Sequence, residues 1–168
     1  PKDVYPPRKG KPEYSRNKEQ WVPGPDGFPV LKAGRFAGRT VSGKFIHGTD
    51  LHSLERQYNQ GVLAIDDGVG RLIKALKETG QYENTLIVFG ADQGIAWGQK
   101  GFQMKLAPYD GTIRGPLIVS MPKKFPTGKV CPKPVGGADL VPTFFKTAEL
   151  DLPWKMHGRD LTPLLEQS

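Results

Sequence analysis

Thr85-Leu86-Ile87-Val88-Phe89-Gly90-Ala91-Asp92-Gln93-Gly94 is a β-prone apolar run that ends on an acid, an amide and a glycine. An uninterrupted apolar run closed by turn residues reads as a strand buried on both faces of a parallel sheet. In open α/β sheets ligands bind beyond the carboxyl ends of such strands, where Asp92 and Gln93 fall. A carboxylate and an amide carbonyl presented side by side are hard oxygen donors that suit a divalent cation.

The elements around this run set the fold class. Leu54, Tyr58, Val62, Ile65, Val69, Leu72, Ile73 and Leu76 recur at three- and four-residue steps, the stripe of an amphipathic helix. Ser53 is placed to cap its start, and Gly80 to end it in a left-handed turn. A glycine-rich loop is expected from Gly94 to Tyr109, and a second strand over Pro116–Met121. Asp139 is expected to cap a short helix from Leu140 to Ala148. A last helical turn should start at Asp160 or Thr162 and run through Leu165. Helix, strand, loop, strand, helix is an α/β alternation, for which a parallel sheet flanked by helices is the simplest solution.

Residues 1–50 are of another kind. They hold seven prolines in the first 30 positions, and ten Lys or Arg against five Asp or Glu. The segment reads as irregular and basic, distinct from residues 51–168. The whole chain of 168 residues carries a formal charge of +7, a basic excess that can attract nucleic acid, anionic lipid or an acidic substrate such as a sulfated sugar, although solvated surface lysines are its commoner meaning. No apolar run approaches the roughly 20 residues of a membrane span, and no signal peptide is visible. The single cysteine, Cys131, excludes an internal disulfide and a Cys-rich zinc site. The chain opens on Pro1 rather than a methionine, as a processed or excised piece would.

Several motifs fall in a fixed order. Ala64-Ile65-Asp66-Asp67-Gly68-Val69-Gly70-Arg71-Leu72 precedes the first strand, and Ala91-Asp92-Gln93-Gly94 closes it. Gly98-Gln99-Lys100-Gly101-Phe102-Gln103-Met104-Lys105 comes next, followed by Tyr109-Asp110 and Arg114-Gly115-Pro116-Leu117-Ile118-Val119. Asp139-Leu140-Val141-Pro142-Thr143 and His157-Gly158-Arg159-Asp160-Leu161-Thr162-Pro163-Leu164-Leu165 complete the series. In this order it resembles the C-terminal part of the catalytic domain of type I, formylglycine-dependent sulfatases, within the alkaline-phosphatase-like superfamily. The resemblance covers residues 54–165. It implies a partial sulfatase-type α/β sandwich with a mainly parallel sheet flanked by helices.

By motif position the resemblance makes Asp92 and Gln93 ligands of a calcium ion beside the sulfate. It makes Lys105 the lysine that contacts the sulfate oxygens. Gln93 stands where Asn or His is commoner, offering the same kind of donor with one more methylene. Arg114 is expected to serve structure by pairing with an acid such as Asp110. Asp66 and Asp67 lie mid-helix, one expected to face a structural partner and the other water. His47, His52 and His157 fit no metal-ligand spacing, and His157-Gly158 is read as a structural turn.

The family's nucleophile sits in C/S-x-P-x-R, where Cys or Ser is converted to formylglycine whose hydrate attacks sulfur. That motif is absent. Cys131-Pro132-Lys133-Pro134-Val135 has its prolines out of register, and Ser120-Met121-Pro122-Lys123-Lys124 lies on the second strand. The family's N-terminal metal-binding aspartates are also missing. The chain therefore reads as the back part of a sulfatase whose partner is the missing N-terminal half, with no catalytic nucleophile of its own.

Three functions are open at this point. The parent is expected to be a Ca²⁺-dependent sulfatase acting on a sulfated small molecule or glycan, in the periplasm, a secretory route or the lysosome. The alternatives are a phosphodiester or phosphonate monoester hydrolase of the same superfamily, and a non-catalytic remnant that binds anionic glycans. Trp21, Phe28, Phe36 and Phe45 do alternate with Lys32, Arg35, Arg39 and Lys44, as in some single-strand binders. No RNA- or DNA-binding motif accompanies them, and nucleic acid is not expected as a partner.

Overall fold

Helix α2 (Leu51–Glu78) is the longest element, about 42 Å at 1.5 Å per residue. The computed structural model describes residues 3–18, 20–32, 40–41, 44–45, 50–105 and 107–167, with backbone only at 40–41 and 44–45. Asp50, rather than Ser53, begins α2. Its carboxylate accepts the Ser53 backbone N–H at 2.9 Å and the Ser53 hydroxyl at 2.7 Å. A buried acid one turn earlier leaves Ser53 as the capped residue, not the cap. The expected end is observed: Gly80 sits at φ +70°, and the Gln81 N–H reaches the Leu76 carbonyl at 2.9 Å.

The apolar stripe of α2 is largely uncovered. Leu54, Val69, Ile73 and Leu76 are half-buried, whereas Tyr58, Val62, Ile65 and Leu72 are exposed, Leu72 to 67%.

Two compact units make up the chain, Pro1–Val69 with Gln93–Gly115 and Gly70–Asp92 with Pro116–Ser168. In the first unit the segment expected to be irregular carries short elements. α1 (Glu13–Arg16) is a single turn, and β1 (Trp21–Pro23) pairs antiparallel with β2 (Pro29–Leu31). The Gly24 N–H closes the hairpin on the Phe28 carbonyl at 2.8 Å. The prolines at 23, 25 and 29 thus frame a turn instead of preventing one. β3 (Thr40–Val41) and β4 (Lys44–Phe45) form a second small antiparallel pair. Val4, Trp21, Leu31 and Leu51 form the core, with Tyr5 and Trp97 against it. The expected loop after Gly94 contains a further hairpin, β6 (Ala96–Trp97) with β7 (Gln103–Met104), and one turn of helix, α3 (Asp110–Ile113).

The second unit holds the two strands read from sequence, β5 (Ile87–Gly90) and β8 (Leu117–Ser120). They pair antiparallel, with Ile87 opposite Ser120 and Phe89 opposite Ile118. This corrects the parallel pairing expected of these strands. A parallel pair needs a crossover, usually a helix, and the α-helix described between them, α3, has only four residues. The strands are not buried on both faces either, since Phe89 is 37% and Ile118 61% exposed. The α/β class itself stands, with α4 (Leu140–Thr147) and α5 (Thr162–Gln167) following β8.

Asp139 does not cap α4 with its side chain. Its carboxylate accepts the Gly136 and Arg159 N–H groups, each at 2.8 Å. The Thr143 hydroxyl accepts the Leu161 N–H at 2.9 Å. Gly158 lies so close to the backbone of Ala138 and Asp139 that a Cβ has no room. The His157-Gly158 turn is structural, as expected. Asp160 begins α5 by accepting the Thr162 N–H at 2.9 Å and its hydroxyl at 2.6 Å.

Candidate functional site

Beyond Gly90 the chain leaves β5 through Ala91 and enters a turn at Asp92 and Gln93. Asp92 is exposed and closes its segment of the second unit; Gln93 is half-buried and opens the next segment of the first. Gly94 fixes where the turn ends. Its N–H donates to the Thr112 carbonyl at 3.0 Å. A Cβ on Gly94 would collide with the backbone oxygens of Gly111 and Arg114. Glycine is needed here for close backbone approach, not for an unusual φ. Thr112, 1% exposed, holds the other side of that contact by donating its hydroxyl to the Ala107 and Tyr109 carbonyls.

Lys105 follows β7 directly and is half-buried. The loop that delivers it is unusual in its backbone: Gly98, Lys100, Gly101 and Met104 all have φ between 54° and 80°. For Lys100 and Met104 this left-handed conformation costs about 1–2 kcal/mol each. The segment at the start of the chain holds the loop. Asp3 accepts the Lys100 backbone N–H at 2.9 Å and its ammonium at 3.3 Å. Burial opposes ionisation of Asp3, but these Lys100 contacts outweigh it and keep the carboxyl below the usual carboxylate range. The Trp21 indole donates to the Gly101 carbonyl at 3.2 Å.

Arg8 lies beneath this contact, 3% exposed. It donates to the Asp3 carbonyl at 3.0 Å, to Ser15 at 2.8 Å, to Lys18 at 2.9 Å and to the Val4 carbonyl. Burial lowers its pKa, with Asp3 opposing. The guanidinium packs so tightly on Gly101 that no Cβ fits there. None of Asp3, Arg8 or Trp21 was legible as a site residue. Their roles depend on contacts across 80 to 97 residues of sequence, and no local spacing encodes them.

The remaining candidates are resolved by their surroundings. Arg114 approaches Asp110 at 3.9 Å, the structural pairing expected, although both side chains are about four-fifths exposed. An exposed pair of that length contributes little. Asp66 and Asp67 are both exposed, so the expected division between a structural partner and water is not seen. His52 stacks on Phe28 at 4.7 Å, His157 is exposed, and His47 lies outside the described residues. Trp21 is core, which removes it from any stacking surface. Phe36, Arg35 and Arg39, and the side chains of Phe45 and Lys44, also lie outside the described residues.

The described residues contain no group of three or more His, Cys, Asp or Glu placed so that it could hold a metal ion. Asp92 and Gln93 fit calcium in donor type and not in number, since Ca²⁺ takes six to eight oxygens. A cavity of about 390 Å³ in the first unit is lined by Lys100, Phe102, Tyr109 and Thr112 among others. A second of about 1000 Å³ lies in the other unit, between β5 and α4. Neither is lined by Asp92, Gln93 or Lys105.

The sulfatase family model matches residues 3–150, most of the chain, a range within which the three candidate residues lie. The chain belongs to the sulfatase family. It is 33% identical over 126 residues to an N-acetylglucosamine-6-O-sulfatase of Bacteroides thetaiotaomicron, covering 75% of this chain and 23% of that protein. A structure solved in complex with its substrate D-glucosamine-2-N,6-O-disulfate superposes with a TM-score of 0.54 at 35% identity, over 62% of this chain and 21% of that one. A phosphonate monoester hydrolase from Silicibacter pomeroyi superposes with a TM-score of 0.58 at 38% identity, over 62% and 20% respectively. This sulfatase-family chain thus spans about a quarter or less of the relatives it matches. None of its described helices is long and apolar enough to cross a membrane.

Proposed function

We propose that the protein to which this chain belongs hydrolyses sulfate esters of a carbohydrate, with a nucleophile derived from Cys or Ser outside these 168 residues. The observation that carries this reading is the family match over residues 3–150, a range that includes Asp92, Gln93 and Lys105. The relative named for N-acetylglucosamine and the structure solved with a disulfated glucosamine support a sulfated amino sugar as the substrate class. The +7 charge of the chain favours an anionic substrate as well.

In this reading Asp92 and Gln93 supply two of the oxygens that hold a calcium ion. When bound, that ion neutralises the sulfate oxygens and polarises sulfur toward attack. Lys105 places an ammonium against the sulfate, where it stabilises the charge that develops as the sulfur–oxygen bond breaks. Gly94, packed on the Gly111 and Arg114 backbone, fixes the chain that follows Gln93. The remaining ligands and the nucleophile come from the N-terminal half of the catalytic domain. The uncovered faces of α2 and of the β5 and β8 pair, with Leu63, Leu72 and Ile118 exposed, supply apolar surface for it to bury. The compartments this reading favours are the periplasm, the secretory route and the lysosome.

The likeness to a phosphonate monoester hydrolase favours a second reading on the same fold. Turnover by the full-length protein of a 6-sulfated glucosamine and of an aryl phosphonate monoester, measured side by side, separates them. Sulfate release exceeding phosphonate hydrolysis is expected; the reverse order would overturn the sulfatase reading.

A further inference from the structure

We propose that Asp3 and Arg8 act as positioning residues for Lys105, latching the 98–105 loop into the conformation that presents its ammonium. The proposal rests on the reading of Lys105 as a sulfate ligand. The loop has a backbone that its own residues do not favour, with non-glycine Lys100 at φ 54° and Met104 at φ 62°. Such residues persist only where their surroundings over-determine them. The surroundings here come from the start of the chain. Both carboxylate oxygens of Asp3 are spent on Lys100, one on its N–H and one on its ammonium. Arg8 in turn holds Asp3 by its backbone carbonyl at 3.0 Å and packs on Gly101, leaving no space for the loop to shift inward. Val4 fills the space beside Gly98 in the same way.

The coupling to Lys105 is short and stiff. From Lys100 the chain passes through Gly101, held by Trp21, and into β7, whose Gln103 and Met104 pair with Trp97 and Ala96. Lys105 is the next residue. Releasing Lys100 therefore loosens the strand that leads into Lys105 while leaving the lysine itself in place. Neither Asp3 nor Arg8 needs to touch substrate.

The test uses the full-length protein with Asp3→Ala, Asp3→Asn and Lys105→Ala, singly and combined. It measures competitive inhibition by inorganic sulfate, hydrogen exchange over residues 98–105, and the melting temperature. Asp3→Ala should speed exchange of the Lys100 amide about tenfold by loosening the loop locally. It should also weaken sulfate inhibition roughly five- to tenfold, the usual effect of losing one hydrogen-bonding arrangement. Asp3→Asn keeps an acceptor for the Lys100 N–H and should recover most of both effects. In a Lys105→Ala background, Asp3→Ala should weaken sulfate no further, which a general loss of stability would not produce. Unchanged exchange, or the same loss of sulfate inhibition with and without Lys105, overturns the latch. If Lys105→Ala weakens sulfate and Asp3→Ala does not, the latch alone has failed. If Lys105→Ala leaves sulfate inhibition untouched, the reading of Lys105 has failed and the latch with it.

Discussion

The Trp21 indole N–H donates to the Gly101 carbonyl at 3.2 Å, joining residues 80 positions apart. One side chain thus serves the core of the first unit and the loop that carries Lys105. Trp21 is 2% exposed, so its two roles can be separated by substitution. Trp21→Phe keeps most of the apolar volume and strands the carbonyl, for an expected loss of about 1–3 kcal/mol. Trp21→Ala also leaves a cavity, and should lose about 3–5 kcal/mol. Denaturant midpoints measure both, and an unchanged midpoint in Trp21→Phe would refute the hydrogen-bond contribution.

Gly94→Ala should destabilise the protein by at least about 2 kcal/mol, because the obstructing atoms are backbone oxygens that no rotamer change can move. Gly61→Ala is the control. Nothing lies within 4 Å of a Cβ at that position in α2, and replacing a mid-helix glycine should stabilise this chain by about 0.5–1 kcal/mol. Thermal unfolding of the two variants should shift in opposite directions.

Asp139 ties Gly136 to Arg159 through two backbone N–H bonds, Arg159 first in weight, and these hold its carboxyl below the usual range against a small desolvation effect. A carboxyl whose folded pKa is depressed contributes stability above its unfolded value and loses it as pH falls through the folded one. Stability should therefore fall as pH drops below about 4, the ordinary Asp range. Asp139→Asn should flatten that part of the profile. An identical slope in the variant excludes Asp139 as its source.

In the full-length protein, Asp92→Ala and Gln93→Ala should each weaken calcium binding at least about tenfold, the acid more than the amide, because the carboxylate brings charge as well as an oxygen. Chelation should abolish sulfate-ester hydrolysis, with calcium restoring it. Calorimetric titration of calcium into each variant is the direct measurement. Unchanged affinity in Asp92→Ala would remove this residue from the metal site.

The 168-residue chain alone should not turn over an aryl sulfate. It contains no C/S-x-P-x-R motif, and two oxygen donors do not complete a calcium shell. Turnover at an enzymatic rate, in the range of 1 per second or more, would show a nucleophile within these residues.

The elements with strong local signals were legible before the structure. The three-four period of α2, Gly80 at its end and the β-branched runs of β5 and β8 are each written within a few turns of chain. The ordered motifs also identified the family, and the match over residues 3–150 bears that out. Less legible was anything fixed by distant partners. Asp50 displaced Ser53 as the cap because its carboxylate reaches both groups of Ser53 from a buried position. Residues 1–50 read as irregular because proline and glycine dominate them, yet Trp21 and Leu31 pair across a hairpin and enter the core.

The sequence by itself determined the α/β class, the family, and the residue types gathered at the candidate site. Those depend on side-chain period and chemical identity, which the order of residues states outright. Tertiary structure alone decided that β5 and β8 run antiparallel, that Gly94 is wedged between backbone oxygens, and that Asp3 grips Lys100 across 97 residues. Each of these rests on atoms brought together by packing, and a linear sequence carries no distance between them.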